Sequence, residues 1–267
     1  MTPSPTPAHP ELQALRINPM RPLRWLALAW RDIERCPTPG VLHGLLLALL
    51  SAGWIYLHRE DFWWIAAMVA SCMMVAPLLA VSLYDVSRRL ERNEEPTLAH
   101  TFDAWFSGDT RLVHFGALLA LTALGWFICS ALLVKWLVPV DVRTPAEFVR
   151  LVVLQPQGIQ FEVWMLMSGF MAAPVFASSV VTIPLMLDHP RMPMWQAVRT
   201  SWRVVATNPM EMAWWALLLS MFTTLGIGSA LMGLLVVVPM LGHASWHAYR
   251  DLVAHDGAAH AAMEPRP

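Results

Sequence analysis

Residues 237–252 have the sequence VVPMLGHASWHAYRDL, and residues 75–90, VAPLLAVSLYDVSRRL, carry the same landmarks at the same positions. In both segments an apolar run with one internal proline leads through an aromatic residue into an arginine. A membrane helix leaves the bilayer in this way, because aromatic rings favour the headgroup region and cations favour water. The pair therefore predicts at least two membrane-spanning helices of similar design.

The composition extends this prediction to most of the chain. Of the 267 residues, 57% are hydrophobic and 14% are charged, and the apolar residues stand in long blocks. A helix needs about 20 apolar residues to cross roughly 30 Å of hydrocarbon, so such blocks indicate a polytopic membrane protein. The formal net charge of -1, without basic runs that contain aromatic residues, excludes nucleic acid as a partner.

The apolar blocks occupy residues 23–253, which we predict to form a single membrane domain. Residues 1–22 contain six prolines and no apolar core, and residues 254–267 are rich in alanine, histidine and proline. Segments of this kind do not bury enough apolar surface to form a core. Both are therefore predicted to be disordered tails.

The fold class predicted within residues 23–253 is all-α, with six transmembrane helices. Four crossings are expected at residues 41–57, 62–84, 112–137 and 163–187, and two more within 212–246, separated by a tight turn at Gly226, Gly228 and Ser229. The predicted helix starts include Thr38 and Asn208 as caps, and Asp109 or Thr110 as the cap of the third crossing. A short helix over 147–154 is expected in the long loop 138–162.

The matched landmarks further predict three repeated units, at residues 23–90, 96–190 and 193–252. Each unit is expected to begin with an amphipathic helix at the membrane surface, which contains Trp30, Trp105 or Trp202. A transmembrane hairpin follows. The second helix of each hairpin contains a proline expected to kink it, at Pro77, Pro174 or Pro239.

The basic residues predict the orientation of the chain. If the amino terminus is cytoplasmic, 14 of the 18 lysines and arginines lie on the cytoplasmic side, so both termini are predicted to be cytoplasmic and the long loop to be outside. The expected membrane-surface anchors are the three tryptophans of the surface helices together with Arg31, Arg88, Arg203 and Arg250.

The ionisable groups expected at membrane depth are histidines near the cytoplasmic face: His43, His114, His243 and His247. His243 and His247 are four residues apart, so they share a helix face and are the weak candidates for binding a metal or a haem. The alternative, which we favour, is a structural role at the membrane interface. No other ligand has matching spacing, so no metal or cofactor is predicted.

Three stretches carry a family resemblance: AWRDIERCPTPGVLHGLLLALL at residues 29–50, VAPLLAVSLYDVSRRLERNEEPTL at 75–98 and LLVVVPMLGHASWHAYRDLV at 234–253. They resemble a family of bacterial predicted integral membrane proteins classed as a domain of unknown function. Members are sometimes loosely labelled cytochrome c oxidase subunit I, but that enzyme needs histidines deep in the membrane. The resemblance implies a bacterial inner-membrane location and no established activity.

The sequence favours a function without catalysis, because it contains no GxSxG, HExxH or P-loop motif and no acid or base in mid-membrane. The leading hypothesis is a scaffold, or a subunit that contacts the lipid bilayer, another membrane protein or a second copy of the chain. A transporter or channel for a small solute is the first alternative, since three repeats can enclose a path. Haem or metal binding through His243 and His247 is the second.

Overall fold

The computed structural model describes residues 12–105, 108–154 and 159–254, which are almost entirely helical. In the described ranges the α-helices are α1 (Arg21–Arg35), α2 (Pro37–Leu57), α3 (Phe62–Leu79), α4 (Val81–Glu91), α5 (Leu98–Trp105), α6 (Thr110–Leu137), α7 (Pro145–Phe148), α8 (Gln160–Ser179), α9 (Thr182–Asp188), α10 (Met194–Thr207), α11 (Pro209–Gly228) and α12 (Leu234–Leu252). A π-helical turn, Val149–Val153, follows α7. The all-helical prediction is confirmed.

Five helices in the described ranges are long and apolar enough to cross a membrane: Pro37–Leu57, Phe62–Glu91, Thr110–Leu137, Gln160–Asp188 and Pro209–Gly228. They begin within a few residues of the first five predicted crossings. The sixth predicted crossing lies in α12, which is a separate helix but is not among these five. Its last turns contain histidine, arginine and aspartate, which lower its apolar character.

Two of the three predicted proline kinks coincide with helices that are interrupted shortly afterwards. Pro77 lies inside α3, which gives way to α4 at Ala80, and Pro174 lies inside α8, which ends before the turn at residues 180–181. A proline removes one backbone donor and crowds the preceding turn, so a break nearby is expected. Pro239 lies inside α12, where the helix continues without interruption.

The helix starts follow the sequence signals only in part. Asp109 caps α6 by accepting a hydrogen bond from the Arg111 backbone, as predicted. Cys36, not Thr38, is the residue that precedes the first turn of α2, because the helix already begins at Pro37. Asn208 precedes α11 as expected, but its side chain makes no capping bond.

The side chain of Asn208 instead holds the beginning of the described chain. It accepts from the backbone N–H of Ile17 at 3.0 Å and donates to the carbonyl of Leu15 at 2.9 Å. Leu15 N–H in turn donates to the carbonyl of Leu252 at 2.9 Å. Residues 12–22, which were predicted to belong to a disordered tail, pack against the end of α12 or begin α1 in the structure. Residues 1–11 and 255–267, the rest of the two predicted tails, lie outside the described residues.

Helix α12 lies at the centre of the fold and packs against α1, α2, α4, α9 and α11. Its contact with α2 is close because α2 presents two glycines on one face. A Cβ atom at Gly40 would lie 2.6 Å from Pro239 Cβ, and one at Gly44 would lie 2.6 Å from Leu235 Cα. Glycines four residues apart let two helix backbones approach in this way.

A second group of helices packs around α6, which contacts α3 and α8. At the end of the bundle away from the described chain ends, the apolar side chains of this group form a small core of Phe62, Val134, Val138, Val142 and Val152. Three of these side chains, Val138, Val142 and Val152, belong to residues 138–154, which follow α6. The short helix predicted at 147–154 is confirmed as α7 and the π-helical turn, and α7 begins with a capping box between Thr144 and Glu147.

The turn between α11 and α12 occupies residues 229–233, slightly later than the turn predicted at Gly226, Gly228 and Ser229, because α11 continues to Gly228. Ala230 and Leu231 adopt positive φ angles of 55° and 69° in this turn. The Ser229 side chain supports it by donating to the carbonyl of Gly226 and accepting from the N–H of Gly233.

The amphipathic helices α1 and α10 turn the face that contains their predicted anchor tryptophan away from the protein. In α1 the buried residues include Trp25, Ala29 and Asp32, while Trp30 is 47% exposed. In α10, Trp202 is also 47% exposed. The tryptophans predicted as surface anchors therefore face outward on these two helices, and other residues hold the helices to the core.

Candidate functional site

Helix α12 brings its two histidines into a buried polar cluster with α1 and α4. Ser87, on α4, lies between Asp32 of α1 and His243 of α12: its Oγ atom is 2.6 Å from Asp32 Oδ2 and 2.8 Å from His243 Nδ1. Ser87 is 1% exposed and His243 is fully buried. One continuous series of hydrogen bonds thus joins three helices that are distant in sequence.

The second histidine, His247, extends this series of hydrogen bonds on the other side of Asp32. His247 Nε2 lies 2.8 Å from the same Asp32 oxygen that accepts from Ser87. Burial alone raises the pKa of Asp32, but the hydrogen bonds from His247 and Ser87, together with the nearby histidine charges, lower it below its ordinary value. Asp32 is therefore ionised at neutral pH and acts as an acceptor only.

The ionised carboxylate fixes the direction of each hydrogen bond. A serine hydroxyl has one hydrogen, and Ser87 donates it to Asp32. His243 Nδ1 must then be the protonated nitrogen, which donates to Ser87 Oγ. The opposite ring nitrogen, Nε2, is buried without a partner among the described residues, 3.9 Å from where a Cβ at Gly40 would stand.

His43 forms a parallel arrangement between α2 and α4. Its Nδ1 donates to the carbonyl of Pro39 at 2.6 Å, so its Nε2 accepts the hydroxyl hydrogen of Ser82, also at 2.6 Å. The ring of Trp105 lies edge-on to His43, with ring centroids 4.8 Å apart. Trp105, the predicted anchor of the second surface helix, is therefore packed against α2 and is only partly exposed.

Both candidate histidines form hydrogen bonds between helices. His243 and His247 do share a face of α12, as their spacing predicted, but that face is directed at Ser87 and Asp32. Within the described ranges, no group of three His, Cys, Asp or Glu side chains could hold a metal ion. His114, the remaining histidine of the set, lies on an exposed position of α6.

A second polar cluster lies where α4, α9 and α12 meet at the same end of the bundle. Asp85 is buried and accepts from Arg88 and Arg89. Arg250 pairs with Glu91 at 3.2 Å and lies 3.7 Å from Asp188. Arg88 and Arg250, expected as membrane anchors, are therefore in ion pairs within the protein. The other two expected anchors, Arg31 and Arg203, lie at exposed positions on α1 and α10.

Two arginines also satisfy the carboxyl end of α9. Arg88 donates to the carbonyl of Leu187 at 2.9 Å, and Arg111 donates to those of Met186, His189 and Met192 at 2.7–3.1 Å. The last carbonyls of a helix have no partner within it and carry partial negative charge. These contacts fix α9 to α4 and to the start of α6.

Shallow clefts open beside these clusters. One, of about 280 Å³, is lined by Arg88, Glu91, Arg92, Asp188, Trp246 and Arg250, and the other, of about 510 Å³, lies between the end of α1 and residues 90–96. The charged side chains around the first are largely paired with one another. The clefts are therefore surface features of the charged end of the bundle.

The sequence predicted the histidines but not their partners. Asp32 stood on the polar side of a predicted surface helix, and Ser87 in a predicted exit segment, so neither was singled out. Gly40 and Gly44 did carry a readable signal, because glycines four residues apart in an apolar helix indicate close helix packing.

The five apolar helices define an integral membrane protein whose buried ionisable side chains, among the described residues, gather at one end. Residues 65–188, from α3 to the end of α9, match the model of a family described as predicted integral membrane protein (DUF2189). The resemblance read from the sequence is confirmed for that part of the chain. No curated protein and no solved structure matches the chain.

Proposed function

We propose that the chain is a bacterial inner-membrane protein that crosses the bilayer six times, with both termini in the cytoplasm. We further propose that it acts without catalysis, as a scaffold or as a subunit that contacts lipid or another membrane protein. The observation that carries the functional part is the distribution of polar groups: among the described residues the buried ionisable side chains bond to one another at one end of the bundle, and the long helices present apolar side chains outward between the two ends.

The contact between the two chain ends supports an even number of crossings. Leu15 N–H donates to Leu252, and Ala254 N–H donates to Gln13, so both ends of the described chain lie on one side of any bilayer. Five crossings would leave the ends on opposite sides. Helix α12, about 28 Å long at 1.5 Å per residue, is the segment that returns the chain.

The surroundings of α12 explain why it can cross with so many polar residues. Apolar composition is needed where a helix faces lipid, whereas α12 is covered by α1, α2, α4, α9 and α11. Its histidines bond to Ser87 and Asp32, and Arg250 pairs with Glu91. A polar helix enclosed by partners in this way does not expose its polar groups to hydrocarbon.

The burial of α1 and α10 supports the proposed repeat. Trp25, Ala29 and Asp32 are buried in α1, and the residues 172 positions later in α10, Ala197, Ser201 and Val204, are buried as well. At the same offset, exposed Trp30 and Arg31 correspond to exposed Trp202 and Arg203. The surface helices of the first and third units, α1 and α10, thus have the same orientation about their helix axes.

The order of groups in the Asp32 cluster supports a role without catalysis. In a hydrolytic triad a histidine stands between the carboxylate and the serine, so that it removes the serine proton. Here Ser87 stands between Asp32 and His243 and gives its proton to the carboxylate. The serine is also 1% exposed, so a substrate does not reach it.

The outward surface of the membrane helices supports a scaffold. Only 17–44% of each apolar window is buried inside the protein, so most of these side chains are left to contact lipid or a partner. Exposed apolar area of this extent marks an interaction surface. Leu49 on α2, Leu121 on α6 and Phe170 on α8, which are 62%, 65% and 83% exposed, represent three such faces.

A photocrosslinking experiment in native membranes tests the scaffold. A photoreactive phenylalanine analogue is placed at Leu49, Leu121 or Phe170, and at Trp215, which is 1% exposed, as the buried control. We expect a discrete protein adduct from at least one outward face and none from Trp215. If all three faces give no protein adduct and the chain extracted in native lipid discs retains only lipid of bulk composition, the scaffold proposal is wrong.

A further inference from the structure

We infer that the outward surface of α1 binds the headgroups of anionic phospholipids through Arg24 and Arg31. The inference rests on the proposed function only in placing α1 at the cytoplasmic membrane surface. It adds the chemical class of the lipid and the side chains that select it. Three features of α1 support it: the position of its arginines, their freedom from partners, and the start of α2.

The residues of α1 divide into three faces. Trp25, Ala29 and Asp32 face the protein. With successive residues about 100° apart around the axis, Leu23 and Trp30 fall within about 20° of each other and form an outward apolar stripe. Arg24 and Arg31 also fall within about 20° of each other, about 100° from that stripe, and all four residues are exposed.

This order suits a helix lying in a membrane interface. The apolar stripe enters the upper acyl region, and the basic stripe stands beside it at the depth of the phosphates. Trp30 is held on the surface by donating from Nε1 to Glu34 at 2.7 Å. Glu34 is the single acidic residue between the two stripes, so the outward surface remains positive.

Arg24 and Arg31 have no hydrogen bond or ion pair to any of the residues that the structure describes. Other arginines of α1 do lie close to a carboxylate. Arg21 pairs with Asp251 at 3.3 Å. Arg35 continues the basic stripe but also lines the cleft that contains Glu94 and Glu95, so the inference does not depend on it. Arg24 and Arg31 therefore remain available to an external anion.

The position of the start of α2 indicates which anions Arg24 and Arg31 can contact. Only Cys36 separates the end of α1 from Pro37, the first residue of an apolar membrane helix. This short connection keeps α1 at the bilayer surface, where lipid phosphates are the most concentrated anions. An arginine near such a surface favours anionic over neutral lipid by about fivefold at low ionic strength.

Native mass spectrometry of the full chain in detergent, titrated with phosphatidylglycerol or phosphatidylcholine, tests the inference. We expect the wild type to retain phosphatidylglycerol in preference, and the R24Q/R31Q variant to lose about tenfold or more of this preference. The R24K/R31K variant keeps the charge and should keep most of the preference. The control is R59Q, because Arg59 at the opposite end already pairs with Glu60 at 3.7 Å and should have little effect.

Salt and stability provide two further readouts. The preference should fall as ionic strength rises, because the contact is electrostatic and exposed. The melting temperature of R24Q/R31Q should equal that of the wild type, since both side chains point away from the core. Equal binding of the two lipids by the wild type, or undiminished preference in R24Q/R31Q, would overturn the inference while leaving the crosslinking result of the scaffold unaffected.

Discussion

The backbone N–H of Leu15 donates to the carbonyl of Leu252 at 2.9 Å, so the beginning and the end of the described chain meet. Asn208 holds this contact from a third segment through its bonds to Leu15 and Ile17. The contact requires both ends of the described chain to lie on the same side of a bilayer. It also makes residues 12–17 part of the folded structure.

Replacing Asn208 with alanine should release residues 12–17. The substitution removes both side-chain bonds to Leu15 and Ile17, each worth about 1 kcal/mol, while the cap of α11 is unaffected because Asn208 makes no capping bond. Trypsin should then cleave after Arg16 several times faster than in the wild type. Cleavage after Arg59, at the opposite end, is the internal control. Equal rates after Arg16 in the two proteins would show that Asn208 does not hold the segment.

Replacing Gly44 with alanine should weaken the packing of α2 against α12. The new Cβ would lie 2.6 Å from Leu235 Cα and 2.7 Å from the carbonyl oxygen of Leu234, and these backbone atoms cannot rotate away. Overpacking of this kind destabilises by about 1–3 kcal/mol. Gly53, on the same helix, has nothing within 4 Å of its Cβ position and is the matched control. In thermal unfolding, G44A should melt lower than the wild type and G53A should not. A G44A variant as stable as G53A would contradict the close approach.

Replacing Asp32 with asparagine should destabilise the protein by about 1–3 kcal/mol. The amide has one acceptor where the carboxylate has two, and its NH₂ group brings a donor into a site that already receives two donors, from Ser87 and His247. Asp103 is exposed on α5, so D103N removes a charge without removing a buried bond. Thermal unfolding of the two variants in the same detergent compares them directly, and identical melting temperatures would contradict the role assigned to Asp32.

Acid should remove the contribution of Asp32. The pKa of Asp32 is lower in the folded protein than its ordinary value of about 3.9. Its ionised carboxylate therefore stabilises the fold at pH values above about 3.9, and this stabilisation is lost as the pH falls through the lower, folded-state pKa. The difference in melting temperature between the wild type and D32N should therefore narrow as the pH is lowered from about 5 to about 3. A difference that widens over this interval would show that the ionised carboxylate is not the stabilising form.

The apolar blocks predicted the helices well, because the need to satisfy backbone groups in lipid leaves few alternatives to a helix. The starts of α3 and α6, the division after α11 and the short helix after Thr144 all follow local signals. Apolar periodicity predicted a membrane-facing side of α1 that contains Trp30, but it did not show which residues of α1 pack against the protein. The apolar stripe of α1 that contains Trp30 faces outward, and Trp25 lies on the face that packs against Trp215 of α11, with ring centroids 5.3 Å apart.

The polar clusters could not be predicted because their members come from distant segments. Asp32 and Ser87 are 55 residues apart, and Asp32 and His247 are 215 apart. Hydropathy places each segment in or beside the membrane but does not say which helices become neighbours. The same limit applies to α12. Its polar residues lower its mean hydropathy, and hydropathy does not show that other helices enclose those residues.

The side of the membrane on which each end lies tests the six-crossing account most directly. Fusions of green fluorescent protein and alkaline phosphatase are made after residue 22, after residue 143 and after residue 254. We predict fluorescence without phosphatase activity at the first and last positions, and phosphatase activity without fluorescence after residue 143. Phosphatase activity after residue 254 together with fluorescence after residue 22 would place the ends on opposite sides and contradict the account.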